Sequence, residues 1–230
     1  HAYLGHDERR PAPLILGHEA AGIICGGARD GERVTINPLV SCGNCSACTT
    51  GRENICPDRQ IISMPPREGA FAQYVTMPER NLVNVPTEYS LDKAALVEPL
   101  AVGWHTAKLA TNAIDAKMEK KALVIGGGAI GLATALALKA MGITELTISE
   151  FNPLRRKYLL EHIDAKIVEK TENSFPIVID AVGFASTRAV ASQLVSPGGV
   201  IAHVGLGDNT NGLDVRRMTL QEITFIGTYT

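Results

Sequence analysis

Hydrophobic positions in the second half of the chain concentrate in short, strand-like segments: Ala122–Gly126, Glu145–Ser149, Lys166–Val168, Ile177–Val182, Gly199–Gly205 and Ile223–Gly227. Such runs, bounded by Gly, Pro and Asn, suit strands buried on both faces of a parallel sheet. Leu132–Met141, Pro153–His162 and Ser186–Leu194 separate some of them and are rich in helix formers. This alternation predicts an α/β fold, a doubly wound parallel sheet of six strands. Before Leu100 the pattern differs. Segments are shorter, cut by Pro and Gly, and rich in Val, Ile and Thr: ERVTINPLV, GAFAQYVTM and RNLVNVP. They predict a small antiparallel, barrel-like β domain. The junction is expected near Val102–Trp104, leading into a helix, which divides the chain into residues 1–103 and 104–230.

The stretch from Lys121 to Glu150 ties the second part together. An apolar run leads into Gly126, Gly128 and Gly131 in G-x-G-x-x-G spacing, then a helix, a break at Gly142 and a second strand ending in Glu150. The first glycine allows a tight strand-to-helix turn, the second lets a pyrophosphate approach the backbone, and the third lets helix pack on strand. The helix N-terminus offers unpaired N–H groups and a positive dipole end to the phosphates. Glu150 stands where an acid accepts from ribose hydroxyls, and a carboxylate there repels a 2′-phosphate. The stretch therefore predicts a site for NAD.

Composition changes this picture little. At 230 residues, 45% apolar and 20% charged, the chain is ordinary for a globular protein of one large or two modest domains. A net charge of -2 gives no footprint for nucleic acid or an anionic membrane. No apolar stretch reaches the ~20 residues of a membrane span, and no signal peptide is visible. The cytoplasm is the default expectation.

Cys42, Cys45, Cys48 and Cys56 form a C-x2-C-x2-C-x7-C run, within a lobe at about 41–57 that contains Gly43, Gly51 and Pro57. Four thiolates on so short a loop suit a closed, structural zinc site. Disulfides are disfavoured by the tight spacing and by a reducing compartment. An iron–sulfur cluster is the other rival, because Cys56-Pro57 echoes the ferredoxin ending, although the last gap there is three residues rather than seven. Cys25 is expected to be a small core hydrophobe. Elsewhere His18-Glu19 can ligate a metal, though taken alone such a pair is more often an ordinary surface or core pair. Glu98 sits in the apolar stretch AALVEPLAVGWH, where it needs a metal, a cation or strong donors unless it is a strand-end residue reaching solvent.

Taken in order, these features resemble one family. GHEAAG, the four-cysteine lobe, GAFAQYV, VEPLAV, GGGAIG, DAVG and PGG span almost the whole chain. They resemble the zinc-dependent medium-chain alcohol dehydrogenases, in particular the polyol (sorbitol dehydrogenase-like) branch. The resemblance implies a GroES-like catalytic domain followed by a Rossmann domain, both incomplete at the chain's termini. It implies that His18, Glu19 and Glu98 belong to a catalytic zinc site, and that Cys42, Cys45, Cys48 and Cys56 hold structural zinc. Gly126, Gly128, Ala129, Ile130 and Gly131 match the pyrophosphate turn. Glu150 matches the adenosine-ribose acid and Arg155 the basic residue flanking it. The nicotinamide end is implied near Val182, Gly183, Val204, Gly205 and Leu206. His1 resembles a histidine of the family's proton relay; its bland reading is a frayed first residue. The activity implied is hydride transfer from a secondary alcohol or polyol to NAD, with zinc lowering the pKa of the hydroxyl. A homodimer or homotetramer is implied through the last sheet strand.

The departures matter too. The first catalytic ligand of the family, a cysteine, is not among the 230 residues, and neither are the final helices of the catalytic domain. The loop from Gly22 to Val34 is short for the family. A weakened catalytic zinc site is therefore expected in this chain. The alternative from another class is a non-catalytic NAD-binding fragment with structural zinc and an incomplete metal site. A zinc-free quinone or enoyl reductase fits poorly, because such members usually lack the cysteine lobe and the His-Glu pair. A nucleic-acid-binding lobe fits worse still, with only Arg52 close by.

Overall fold

A three-residue strand, β1 (Ala21–Ile23), pairs antiparallel with β2 (Arg33–Ile36) across a glycine-rich turn in which the Gly26 N–H donates to Asp30. The computed structural model describes residues 2–5 and 7–230. After β2 come β3 (Leu39–Val40), the single-turn α1 (Ser46–Thr49), β4 (Gln60–Ile61) and β5 (Leu82–Asn84). The first unit thus holds a three-stranded antiparallel sheet, β1-β2-β5, and a two-stranded one, β3-β4. Val34, Ile36, Leu39, Val40 and Ile62 are among its buried apolar side chains, and the buried Asn81 donates to the Asn37 and Leu39 carbonyls. The short α2 (Leu91–Ala94) is capped by Ser90, whose hydroxyl accepts from the Lys93 N–H.

Two expectations and one rival reading are corrected in this unit. GAFAQYVTM is not a strand: Gly69, Ala70 and Phe71 donate singly to the carbonyls of Ile15, Gly17 and Leu16, with no continuing ladder. Cys25 is exposed rather than in a core, because it stands in the turn shaped by Gly26, Gly27 and Gly31, all at positive φ. Glu98 is not at a strand end. It lies in the first turn of α3 (Val97–Ala113), where Pro99 is tolerated because N–H groups there have no intrahelical partner.

Two compact units make up the chain, His1–Pro99 and Leu100–Thr230. The second is a regular alternation: β6 (Lys121–Ile125), α4 (Ala129–Ala140), β7 (Glu145–Ser149), α5 (Pro153–His162), β8 (Lys166–Val168), β9 (Phe175–Asp180), α6 (Ala185–Leu194), β10 (Val195–His203), α7 (Val215–Leu220) and β11 (Thr224–Gly227). All pairings are parallel, in the order β8-β7-β6-β9-β10-β11, which is the 3-2-1-4-5-6 order of a doubly wound sheet. Strand alternation sends Ala122 and Val124 to one face, where α3, α4 and α5 cover them. Leu123 and Ile125 point to the other, against Ala191 of α6. The Asn152 side chain accepts from Leu154 and Arg155 N–H, and Pro153 follows it, so α5 starts where the sequence predicts. The change of direction between β6 and β9 leaves a crevice at their carboxyl ends, where ligands bind in such sheets.

Candidate functional site

Both candidate metal centres lie in the first unit. In the lobe, α1 and the turns around it bring the four cysteine sulfurs together, all within 4.8 Å of one another. Cys45 and Cys48 Sγ are 3.5 Å apart, and Cys42 and Cys48 Sγ 3.9 Å. A tetrahedral ion with metal–sulfur bonds near 2.3 Å requires edges of about 3.8 Å, so the donor set fits zinc. These separations are too long for disulfides and enclose the space of one ion rather than of a cluster. The Cys42 thiol is pulled down to about 7 by the Asn44 and Cys45 backbone N–H groups aimed at its sulfur. At Cys45 the Cys48 N–H acts the same way, but burial and the neighbouring sulfurs outweigh it and raise the thiol. A bound cation would offset the charge of neighbouring thiolates.

The second group joins residues 80 apart in sequence. His18, Glu19 and Glu98 each offer a donor atom, and these atoms lie within 4.8 Å of one another. His18 Nε2 stands 3.9 Å from Glu98 Oε1. Burial lowers the His18 pKa, and Arg10 adds to the effect, so a neutral imidazole is favoured. Glu98 is pushed up to about 7 by burial, with Glu19's charge adding to it. A neutral imidazole and two crowded carboxylates form a hard-to-intermediate donor set that suits zinc. His1 lies outside the described residues.

In the second unit the glycine-rich turn connects β6 to α4. Gly126 has φ +94°, and a Cβ there would meet Val182 Cγ2 at 2.5 Å. A Cβ on Gly131 would stand 1.8 Å from the Gly126 carbonyl oxygen, so helix and turn touch backbone to backbone. Gly128 differs. A Cβ on it would meet only Arg155 Nη1, at 3.8 Å, which leaves open space over the start of α4 with a guanidinium at its rim. Ala129 and Ile130 form the first turn of that helix. Glu150, nearly buried at the end of β7, accepts from Gly127 N–H at 2.9 Å and Asn152 N–H at 2.8 Å, with Arg155 Nη1 at 3.7 Å. Beside these residues lies a cleft of about 280 Å³, lined by Ile125, Ser149, Phe151, Lys170, Thr187 and Val190.

Comparison with known proteins agrees with this arrangement. The family model for the alcohol dehydrogenase GroES-like domain matches residues 1–87, and that for the zinc-binding dehydrogenase matches residues 129–230. The chain belongs to the zinc-binding alcohol dehydrogenase family. Sorbitol dehydrogenase of Bacillus subtilis is 35% identical over 240 residues, covering 94% of this chain and 66% of that protein. L-idonate 5-dehydrogenase of Vitis vinifera is 28% identical, covering 94% of this chain and 64% of that protein. A crystal structure of an oxidoreductase/dehydrogenase of unknown specificity from Escherichia coli is 29% identical with a TM-score of 0.85, covering 97% of this chain and 70% of that one. The chain thus spans just under two thirds of these curated relatives.

The two loops implied for the nicotinamide end meet in this chain as backbone on backbone. A Cβ on Gly183 would stand 2.3 Å from the Gly205 carbonyl, and one on Gly205 would stand 2.2 Å from Val182 C. Val204 and Gly205 N–H both donate to the Asp180 carbonyl at 3.0 Å, and Leu206 follows, exposed. The DAVG motif alone does not reveal what its aspartate does. Asp180 is fully buried; its Oδ1 accepts from Val182 and Gly183 N–H at 3.0 and 2.9 Å, its Oδ2 from Thr187 Oγ1, and His203 Nδ1 stands 3.1 Å from Oδ2. Arg188, also buried, donates to the carbonyls of Gly183, Thr210 and Asn211 and pairs with Asp208. The signal available in the sequence was a charged residue at a strand's end and another inside a helix. Neither names its partners. Among the described residues no helix is long and apolar enough to cross a membrane.

Proposed function

We propose that this chain carries the metal and cofactor sites of a zinc- and NAD-dependent dehydrogenase of secondary alcohols or polyols. The observation that carries the reading is the convergence of His18, Glu19 and Glu98 donor atoms within 4.8 Å, in a chain that also builds a dinucleotide turn. Three protein donors is the number that catalytic zinc sites use, with a remaining position for a substrate oxygen. Zinc there would supply Lewis acidity that lowers the pKa of the substrate hydroxyl, and NAD would supply the hydride acceptor.

The chain's own residues do the rest. Glu98, crowded by Glu19, holds a cation or a proton at its carboxylate beside His18 Nε2. Gly126, Gly128, Ala129, Ile130 and Gly131 leave the start of α4 open to a pyrophosphate, with Arg155 at its rim. Glu150, which accepts from Gly127 N–H, stands where an acid accepts from ribose hydroxyls and disfavours a 2′-phosphate. The cleft lined by Phe151 suits the flat adenine, and we assign Val182, Gly183, Val204, Gly205 and Leu206 to the nicotinamide end. Cys42, Cys45, Cys48 and Cys56 hold structural zinc. We assign the metal centres to residues 1–103 and the cofactor to residues 104–230. The names of the relatives favour polyols, with sorbitol and L-idonate among them. A second copy pairing along the free edge of β11 gives a homodimer or homotetramer.

The test is reduction of NAD and of NADP by a panel of polyols and simple secondary alcohols. NADH formation with a polyol, abolished by His18→Ala, is the expected result. No turnover, with metal held by the cysteine lobe alone, would overturn it and leave a cofactor-binding protein.

A further inference from the structure

Ser63 is 1% exposed and sits at φ +68°, a left-handed conformation that side chains other than glycine rarely adopt. Its hydroxyl has a defined task there: Oγ accepts from the Gly17 N–H at 3.0 Å. Gly17 immediately precedes His18. It too is left-handed, at φ +100°, and the Phe71 ring occupies the place of its missing Cβ, 2.6 Å from the nearest ring atom. Its carbonyl accepts from the Ala70 N–H at 2.9 Å. Both backbone groups of Gly17 are therefore tied, one by Ser63 and one by Ala70. Glycine has the widest backbone freedom of any residue, so contacts rather than local preference set the direction in which the chain enters His18.

Ser63 is itself held from behind. Arg10 Nε donates to the Ser63 carbonyl at 3.0 Å, and the same guanidinium is paired with Asp7. Arg10 and Asp7 side chains are each only 11% exposed, so this support is a fixed part of the fold. It links residues 53 apart, Arg10 to Ser63, and then 46 apart, Ser63 to Gly17.

We propose that Ser63 is a positioning residue for the metal centre, its buried hydroxyl fixing the Gly17 peptide so that His18 meets Glu19 and Glu98, with Arg10 and Asp7 bracing it. The inference rests on the reading of those three residues as ligands. Glycine adopts φ +68° with less strain than serine but lacks the hydroxyl, so Ser63→Gly separates the site from the fold. Groups that orient a ligand from outside typically change metal affinity by about 10–100-fold.

The experiment is cobalt titration of the metal-free protein and of Ser63→Gly, read by absorption. Thiolate-to-cobalt bands report the cysteine lobe, and weaker visible bands that vanish in His18→Ala report the second centre. The expected result is about a 10-fold loss of affinity at the second centre, with the lobe bands and the melting temperature not reduced. Unchanged affinity at the second centre, or parallel loss of both sets of bands with a lower melting temperature, would overturn the proposal. Amide exchange in the metal-free protein keeps the two readings apart. Gly17 N–H should exchange about 10-fold faster in Ser63→Gly, with Ala70 and Phe71 unchanged. Equal exchange at Gly17 refutes the positioning role. A parent protein lacking the second set of bands refutes the ligand reading instead.

Discussion

Asp180 offers the sharpest test of how the carboxyl end of the sheet is held. Four donors surround its fully buried carboxylate: the Val182 and Gly183 N–H groups at 3.0 and 2.9 Å, and Thr187 Oγ1 and His203 Nδ1 at 3.1 Å. Asp180→Ala strips the acceptor from two backbone N–H groups in a tight turn. At about 1–3 kcal/mol for each unsatisfied group, the loss should be about 3 kcal/mol, enough to lower the melting temperature by roughly 10 °C. Asp180→Asn keeps an acceptor for the two amides but turns an NH2 toward Thr187 and His203, and should cost about 1–2 kcal/mol.

The pH dependence has a definite sign. Burial by itself would raise the Asp180 pKa, but the His203 ring and the Gly183 and Val182 N–H groups outweigh it, and the net shift is downward. A lowered folded-state pKa means the stabilisation is present above the ordinary carboxylate pKa and is lost as pH falls through the depressed value. The stability gap between the parent and Asp180→Asn should therefore hold steady from pH 8 to about 4 and close below that. Urea unfolding followed by circular dichroism, repeated across pH, measures it. A change under about 0.5 kcal/mol for Asp180→Ala, or a gap that widens in acid, would refute the reasoning.

Four further outcomes follow from the same geometry. Gly131→Ala drives a Cβ to 1.8 Å from the Gly126 carbonyl oxygen and should destabilise the second unit by about 2–3 kcal/mol in a thermal melt. Gly128→Ala meets only Arg155 Nη1 at 3.8 Å, so it should leave the melt unchanged yet weaken NADH binding by at least about tenfold in a fluorescence titration. Arg188→Met abandons three carbonyls and Asp208 in a buried setting and should cost about 3–5 kcal/mol by urea unfolding. Cys56→Ser removes a fully buried sulfur from the lobe; one metal ion per chain should be lost, and limited proteolysis should then cut within 41–57.

The second unit was legible in the sequence because its parallel strands read as short, mostly apolar segments set between helix formers. β7, β8 and α5 match their predicted bounds, and the Asn152-Pro153 start explains the last of these. β10 begins earlier than predicted, at Val195, since Pro197, Gly198 and Gly199 read as a turn although the strand runs through them with a shifted register. The short α7, with Asp214 at its cap, has too few turns to show a periodicity. In the first unit, GAFAQYVTM alternates as a strand would, but its partner is the irregular segment Ile15–Gly17, and pairing ends after three bonds.

The sites divide in the same way. The cysteine lobe and the glycine turn are local, so their spacing carries their geometry. His18 and Glu98 are far apart in sequence and gained meaning only from the resemblance to a family. The network of Asp180, His203 and Arg188 joins residues 20–23 apart through side chains that follow no period, and the Ser63 brace spans still longer separations. Such contacts depend on packing that no spacing rule encodes.

The central claim is that two separate metal centres are built into this chain, and counting zinc tests it most directly. Elemental analysis of protein purified without added metal should find about two zinc ions per chain, and about one in His18→Ala. One ion per chain in the parent, unchanged by His18→Ala, would contradict the account.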